Sequence, residues 1–244
     1  MHNTVGIVEV FGQGARSWGI GRKLGGLSIL EWVVRRATDC QRLDAVVVLT
    51  DLDVGEVRPL VPPDVEVISL RKHDPLGGAA AVCRRMRARA IVRLSADSPF
   101  VDPVLIDRLV TTADAHPHCD YIGYRCRDGR PAMRLGLLAE WCSAAALLRA
   151  AEVATEPGER IGATGYVAGH AELFSLRLIP LPAELDREDV RLTVDGEEDW
   201  EHAEVIYEAL GLDGLDWRRI ADLLDHQPAL RKRMATLNRT TNAV

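Results

Sequence analysis

The chain reads as an α/β protein with a largely parallel sheet covered by helices on both faces. Two observations predict this. Short apolar β-rich runs alternate with longer segments of helical periodicity through the first 120 residues. Several of the runs are apolar throughout rather than at every second position, as strands buried on both faces require.

The elements follow in order. Residues 5–10, "VGIVEV", form a first strand, and the glycine-rich "FGQGARSWGIGRKLGG" a long loop. "LSILEWVVRRATDC" places Ile29, Leu30, Val33 and Val34 on one helical face. "LDAVVVLT" and "DVEVISL" are the next strands, "PLGGAAAVCRRMRA" a helix and "AIVRLSA" a further strand. Pro103 opens the helix "PVLIDRLVTTADAH", because a first-turn proline loses no helical hydrogen bond. Beyond residue 120, "CDYIGY" and "AELFSLRLIPLP" read as strands and "EWCSAAALLRAAEVA" as a helix. "VRLTV" alternates like a strand and runs into an acidic helix start, and "DWRRIADLLDHQPALRKRMATLN" supplies one or two closing helices. With no repeat and no linker, residues 1–244 are expected to be a single domain.

A formal charge of -6 argues against nonspecific nucleic-acid binding as the main activity. The longest apolar runs are too short to cross a bilayer, and "MHNTVGIVEV" lacks a basic flank and a signal core, so a cytoplasmic location is expected. Five cysteines at irregular spacing, with no C-x-x-C pair, suit free thiols better than a disulfide framework or a zinc site.

Ligands of parallel α/β sheets gather beyond the carboxyl ends of the strands. Three places there carry unusual residues. In the glycine loop, Arg16, Ser17, Arg22 and Lys23 could meet phosphate oxygens, although the loop has no Walker pattern and a solvated loop explains it equally well. Asp97, in "VRLSADSPF", follows a buried strand; it is either a ligand or the cap of the Ser-Pro turn. Asp195 ends "VRLTVD", whereas Glu197, Glu198 and Asp199 are explained by the dipole of the helix they begin. Two strand-end aspartates and a basic loop suit a magnesium–nucleotide site, since Mg2+ takes one or two carboxylates with water and phosphate oxygens. Arg71, Lys72 and His73 after "VEVISL" either approach a nucleotide or form a solvated loop, and Arg84, Arg85, Arg87 and Arg89 read as a solvated helix face. Trp18 either covers a base or anchors the loop, and Asp102 reads as the cap of its helix.

The order of these motifs resembles the cytidylyltransferases that activate acidic sugars, above all the spore-coat polysaccharide branch, with the acylneuraminate and 3-deoxy-manno-octulosonate enzymes as cousins. "GGLSILEWVVRRA" is similar to that family's G-G-K-P-L-L-E helix start, and "VRLSADSPFVDP" to R-I-T-x-D-C-P-L-I-D-P. "VRLTVDGEEDW" is similar to R-L-T-V-D-T-x-E-D, and "HQPALRKRMATLN" to the closing helix. The resemblance implies a three-layer sandwich with a mixed, mostly parallel central sheet of glycosyltransferase-A-like type. It also implies a homodimer formed through a projecting arm near residues 125–190. CTP and Mg2+ would be cosubstrate and cofactor, and CMP would pass to an acidic sugar-like acceptor with release of pyrophosphate. Asp97 and Asp195 match the metal aspartates; Lys23, with Arg16, Ser17, Arg22 and Arg71, falls to the nucleotide, and Lys23 to catalysis.

The chain departs from the family at three places. "GARSWGIGRKLGG" lacks L-P-G-K; "GLLAE" keeps Gly136 and Glu140 but has Leu138 for Asp; "ERIG" keeps Glu159 but has Arg160 for His. Glu140, Glu159 and Arg160 would face the acceptor. The same departures support an alternative, a noncatalytic nucleotide- or sugar-binding homologue serving as a partner subunit. A glycosyltransferase of the same fold fits less well, because "SADSPF" offers one aspartate where an Asp-x-Asp is expected.

Overall fold

The computed structural model describes residues 3–12, 19–128, 132 and 135–241. Arg16, Ser17 and Trp18 lie outside the described residues. The strands are β1 (Thr4–Val10), β2 (Lys23–Leu24), β3 (Leu27–Ser28), β4 (Ala45–Thr50), β5 (Glu66–Ser69), β6 (Ala90–Ser95), β7 (Tyr121–Arg125), β8 (Glu140–Ser143) and β9 (Leu176–Pro180). Seven of them form one sheet in the order β5-β4-β1-β6-β8-β7-β9. Only β8 runs against its neighbours; β1 pairs in parallel with both β4 and β6. The mixed, mostly parallel sheet is therefore the expected one.

Helices α1 (Ile29–Thr38), α2 (Val54–Val57), α3 (Pro75–Met86), α4 (Pro103–Ala115), α5 (Ala144–Val153), α6 (Gly165–Gly169), α7 (Glu197–Leu210), α8 (Trp217–His226) and α9 (Pro228–Thr241) complete the fold. One face of the sheet (Val8, Val48, Val92, Leu94) packs with buried residues of α1, α4, α7 and α8. The other (Val5, Ile7, Val47, Ile91) packs with those of α3, α5 and α6. Helix starts are chemically marked. Ser28 caps α1 by accepting from the Glu31 N–H, Asp74 caps α3 before Pro75, and Asp102 caps α4 before Pro103. Asp102 does more: its Oδ2 accepts from the Trp217 N–H at 3.0 Å, tying the start of α8 to the start of α4.

Three sequence expectations change. "EWCS" is strand β8, and its last residue, Ser143, caps the helix that follows. "VRLTV" joins no ladder; it runs beside the turn after β6, where the Val194 N–H donates to the Asp97 carbonyl at 2.8 Å. Within 125–190, the stretch expected to project, β8 and β9 join the central sheet, while α5 and α6 cover it. The physical reason is that "EWCS" and "LRLIP" find open edges beside β6 and β7, where Trp141, Cys142 and Ile179 become buried. Among the described residues no helix is long and apolar enough to cross a membrane. No two cysteines are joined in a disulfide among the described residues; Cys40, Cys83, Cys126 and Cys142 are buried and Cys119 is half-buried.

Candidate active site beyond the end of strand β6

The two aspartates singled out in the sequence lie side by side. Asp97 ends the β6 segment and is 6% exposed. Its Oδ1 accepts from the Ser98 hydroxyl at 2.8 Å. Among the described residues no backbone N–H donates to its carboxylate, so the turn-capping role is not the one it plays. The backbone bond from Val194 to Asp97 then brings Asp195 next to it. Burial first, and the neighbouring Asp97 charge second, push the Asp195 carboxyl up to about 6; Arg191 and the Thr193 hydroxyl pull the other way.

Arg191 organises this corner. Only 4% exposed, it donates from Nε and Nη2 to the two oxygens of Asp199 at 2.7 and 3.0 Å. Nη2 also donates to Asp195 Oδ2 at 2.9 Å. Asp199 in turn accepts the Asp195 backbone N–H at 3.1 Å. Thr193 Oγ1 donates to Asp195 Oδ2, also at 3.1 Å. Sequence reasoning gave Asp199 to the helix dipole; it is instead a buried anchor that fixes the loop carrying Asp195. The cue was its spacing, since Arg191, Asp195 and Asp199 recur every fourth residue across the loop–helix junction.

The other sequence candidates fall in distinct places. Arg22 pairs with Glu197 at 2.5 and 2.9 Å and lies 4.5 Å from the Trp200 ring centre. It thereby joins the end of the glycine loop to the start of α7, beside Asp195. Lys23 is exposed on the β2–β3 hairpin, whose Gly25 abuts the Tyr207 ring of α7. Arg71 is exposed after β5, three strands from β6, roughly 14 Å at ordinary inter-strand spacing. The His73 imidazole Nδ1 meets Asp51 Oδ2 at 2.8 Å, and Asp51 Oδ1 accepts from the Gly12 N–H at the start of the loop.

Glu140, Glu159 and Arg160, expected to face an acceptor, are held in structural contacts. Glu140 accepts from Tyr121 Oη at 2.8 Å and Thr164 Oγ1 at 2.6 Å, and faces Arg93 at 3.5 Å. Arg93 also donates to Glu9 at 2.7 Å, and Glu9 accepts from the Ala163 N–H. Glu159 accepts from the backbone N–H groups of Thr155 and Glu156. Arg160 binds Asp74 through Nε and Nη2 and the carbonyls of Ala151 and Ala154 through Nη1. Gly136 has a steric role that its motif did not disclose. At φ +68° it lets the backbone pass so close to Leu192 that a β-carbon would sit 2.4 Å from that carbonyl carbon. This close pass wedges the segment from Leu135 between the two aspartate motifs, with Leu137 O accepting from the Asp102 N–H.

The donor set fits a divalent cation. Two adjacent carboxylates share one guanidinium, Arg191, which is already bound to Asp199, and the charge of Asp97 still favours the acid form of Asp195; Arg191 Nη1 is buried with no partner among the described residues. No group of three or more His, Cys, Asp or Glu side chains is suited to a metal among the described residues, so a dedicated protein cage is not what is built here. Two carboxylates completed by water and phosphate oxygens is the arrangement Mg2+ and Mn2+ accept.

Comparison with known proteins identifies the fold and the family. The chain is 28% identical over 212 residues to the uncharacterised protein MJ1063 of Methanocaldococcus jannaschii, covering 86% of this chain and 84% of that protein. It is 28% identical over 132 residues to the spore coat polysaccharide biosynthesis protein SpsF of Bacillus subtilis, about half of each chain (53% and 52%). Among solved structures it superposes on a cytidylyltransferase of Leptospira borgpetersenii with a TM-score of 0.80 at 18% identity, covering 94% and 97% of the two chains. CMP:2-keto-3-deoxy-manno-octonic acid synthetase complexed with CTP follows at 0.64 and 11% identity, covering 85% and 99%. Rv0371c of Mycobacterium tuberculosis in complex with manganese superposes at 0.58 and 18% identity, covering 83% and 98%. These structures share the fold. The MobA-like NTP transferase domain matches residues 21–194, most of the length of this chain, and the protein belongs to that family.

Proposed function

We propose that the protein is a cytidylyltransferase that transfers CMP from CTP to a small acidic sugar-like acceptor. The observation that carries the reading is the meeting of Asp97 and Asp195, far apart in sequence, beside the end of β6. An acceptor oxygen attacks the α-phosphorus of CTP; the new P–O bond forms as the bond to the bridging oxygen breaks. Pyrophosphate leaves, and the acceptor's proton passes to solvent. Such a transfer requires alignment and charge neutralisation more than a protein nucleophile. A divalent cation held by Asp97 and Asp195 would supply that neutralisation at the phosphates. Mg2+ is the expected ion, and the manganese bound to Rv0371c supports a site for an ion of that kind. CTP is supported by the synthetase complex, and an acceptor in polysaccharide synthesis by SpsF.

The chain's own residues then divide the work. Arg191, Thr193 and Asp199 orient Asp195, and Ser98 orients Asp97. Lys23, with Arg16 and Ser17, is assigned to the triphosphate, and Arg22 to the junction between that loop and α7. Arg71 stands at the distant, nucleoside side of the sheet. Glu140, Glu159 and Arg160 serve the acceptor by fixing the wall around residues 155–165. A homodimer is part of the same proposal.

The test is pyrophosphate release from CTP and Mg2+ with a panel of acidic sugars, alongside thermal shift with CTP, with and without metal. Metal-dependent stabilisation by CTP, lost in Asp97→Asn, is the expected result. The engagement of Glu159 and Arg160 in structural bonds favours one rival, a binding homologue without catalysis. CTP stabilisation indifferent to metal, with no pyrophosphate from any acceptor, would establish that rival instead.

A further inference from the structure

The oxygens of the two aspartates are not equivalent. Asp195 Oδ2 is occupied twice, by Arg191 Nη2 at 2.9 Å and Thr193 Oγ1 at 3.1 Å. Asp97 Oδ1 is occupied by the Ser98 hydroxyl at 2.8 Å. Among the described residues no donor reaches Asp195 Oδ1 or Asp97 Oδ2, and neither oxygen is sealed from solvent. Each carboxylate thus offers one oxygen free of protein donors, while the other already carries one donor on Asp97 and two on Asp195. The occupancy at Asp195 is built in, because Arg191 is itself buried and fixed by two bonds to Asp199.

Cations differ in what they ask of such a pair. Mg2+ and ions of its size take six ligands in a tight octahedron and are content with a single oxygen from each of one or two carboxylates. Ca2+ takes six to eight oxygens at longer distance and commonly grips a carboxylate through both. We propose that Thr193, Ser98 and Arg191 are specificity-determining residues: by occupying one oxygen of each aspartate they make the site select a small octahedral cation and reject calcium. This rests on the reading of Asp97 and Asp195 as the cation-holding pair and adds what sets the choice of ion.

The experiment measures binding rather than turnover. Mn2+ is titrated into the full-length protein with its free ion followed by electron paramagnetic resonance, and Ca2+ is titrated in competition. The wild type should prefer Mn2+ by about tenfold or more, and the Ser98→Ala/Thr193→Val double variant should narrow that preference by about tenfold, the lower end of what removal of an outer partner does to a metal site. The narrowing should come from tighter Ca2+ binding, and Thr193→Ser, which restores a hydroxyl, should behave as wild type. Thermal unfolding of each variant identifies any that fail to fold, and the Ser98→Ala single variant, which removes the one donor on Asp97 Oδ1, carries the test if the double one does. An unchanged Mn2+ to Ca2+ ratio in folded variants, or equal affinity for both ions in the wild type, overturns the proposal while leaving the site intact. Absence of any Mn2+ binding that Asp97→Asn abolishes overturns the site reading and this proposal with it.

Discussion

Glu9, Arg93 and Glu140 form one buried charged group, on the α5–α6 face of the sheet; Asp97, Arg191, Asp195 and Asp199 form another, beyond the end of β6. Each has a single guanidinium among several carboxylates. In the first, all four glutamate oxygens have donors: Arg93 and the Ala163 N–H on Glu9, Tyr121 and Thr164 on Glu140. In the second, Asp195 Oδ1 and Asp97 Oδ2 have none among the described residues. Electrostatics follow the same division. Burial alone would weaken Arg93's hold on its proton, and Glu9 and Glu140 more than reverse this. At Asp195 burial and Asp97 together disfavour the charge, and Arg191 does not offset them. A completed network is structural; a network left two donors short, at the carboxyl end of a parallel sheet, is where a ligand belongs.

The contrast is broken most readily at Arg93. Replacing it with methionine leaves the buried Glu9 and the half-buried Glu140 without their shared cation, and loss of one partner from such a group costs about 3–5 kcal/mol. Urea unfolding of Arg93→Met should show that loss, and the triple change that also converts Glu9 and Glu140 to glutamine should recover part of it. A cost below about 1 kcal/mol, the size expected of a surface pair, would mean the group is not the closed structural unit described.

The next effect has the opposite sign. An acid whose folded pKa lies above its unfolded value, 3.8 rising to about 6, is a load on the fold. The load is fully present above pH 6 and is relieved as pH falls from 6 toward 4. Asp195→Asn removes it, and should raise the stability of the metal-free protein at pH 7.5 by about 1–2 kcal/mol, less than the full shift implies because the side chain is partly exposed. The same change should lower nucleotidyl transfer by about a hundredfold or more. Stability gained with activity lost marks a functional site. If Asp195→Asn instead destabilises in urea at pH 7.5, the surplus of negative charge is compensated and the two groups are alike.

Sequence made the aspartate corner legible and hid the other group for a physical reason. Asp97 and Asp195 end apolar runs, where a carboxylate stands out. Asp102 next to Pro103 reads as a cap and is one. Glu9 and Arg93 were equally visible as lone charges inside "VGIVEV" and "AIVRLS", but each strand read alone gives no reason for its charge. Their pairing depends on parallel register: β1 sets Ile7 opposite Arg93, and β8 sets Glu140 opposite it. The fold's layers needed only periodicity. The antiparallel insertion of β8 between β6 and β7 needed tertiary competition for an edge, which no local pattern encodes. Arg160 illustrates the limit: standing where the family has histidine it was expected to face an acceptor, and its geometry ties it to the capping Asp74.

The smallest effect asks how far the electrostatic disorder of the aspartate corner extends along α7. His202, one turn after Asp199, is 1% exposed, and neither ring nitrogen has a partner among the described residues. Burial first, then the charge of Arg233, lower its basicity, against the pull of Asp199, Glu198 and Glu201. A histidine whose folded pKa lies below its unfolded 6.5 contributes fully above that pH, and its contribution falls away as pH drops below it. Asp195 gains stability over nearly the same interval, so the two slopes partly cancel in the wild type. In an Asp195→Asn background the histidine slope should stand alone, with urea stability falling between pH 7.5 and 5.5. Adding His202→Leu should flatten that slope and, by removing an unsatisfied buried polar ring, add up to about 1 kcal/mol at pH 7.5. Equal pH slopes with and without His202 would show that the imidazole takes up its proton without cost, which requires an anion near enough to hold it and would extend the aspartate corner one turn further into the helix.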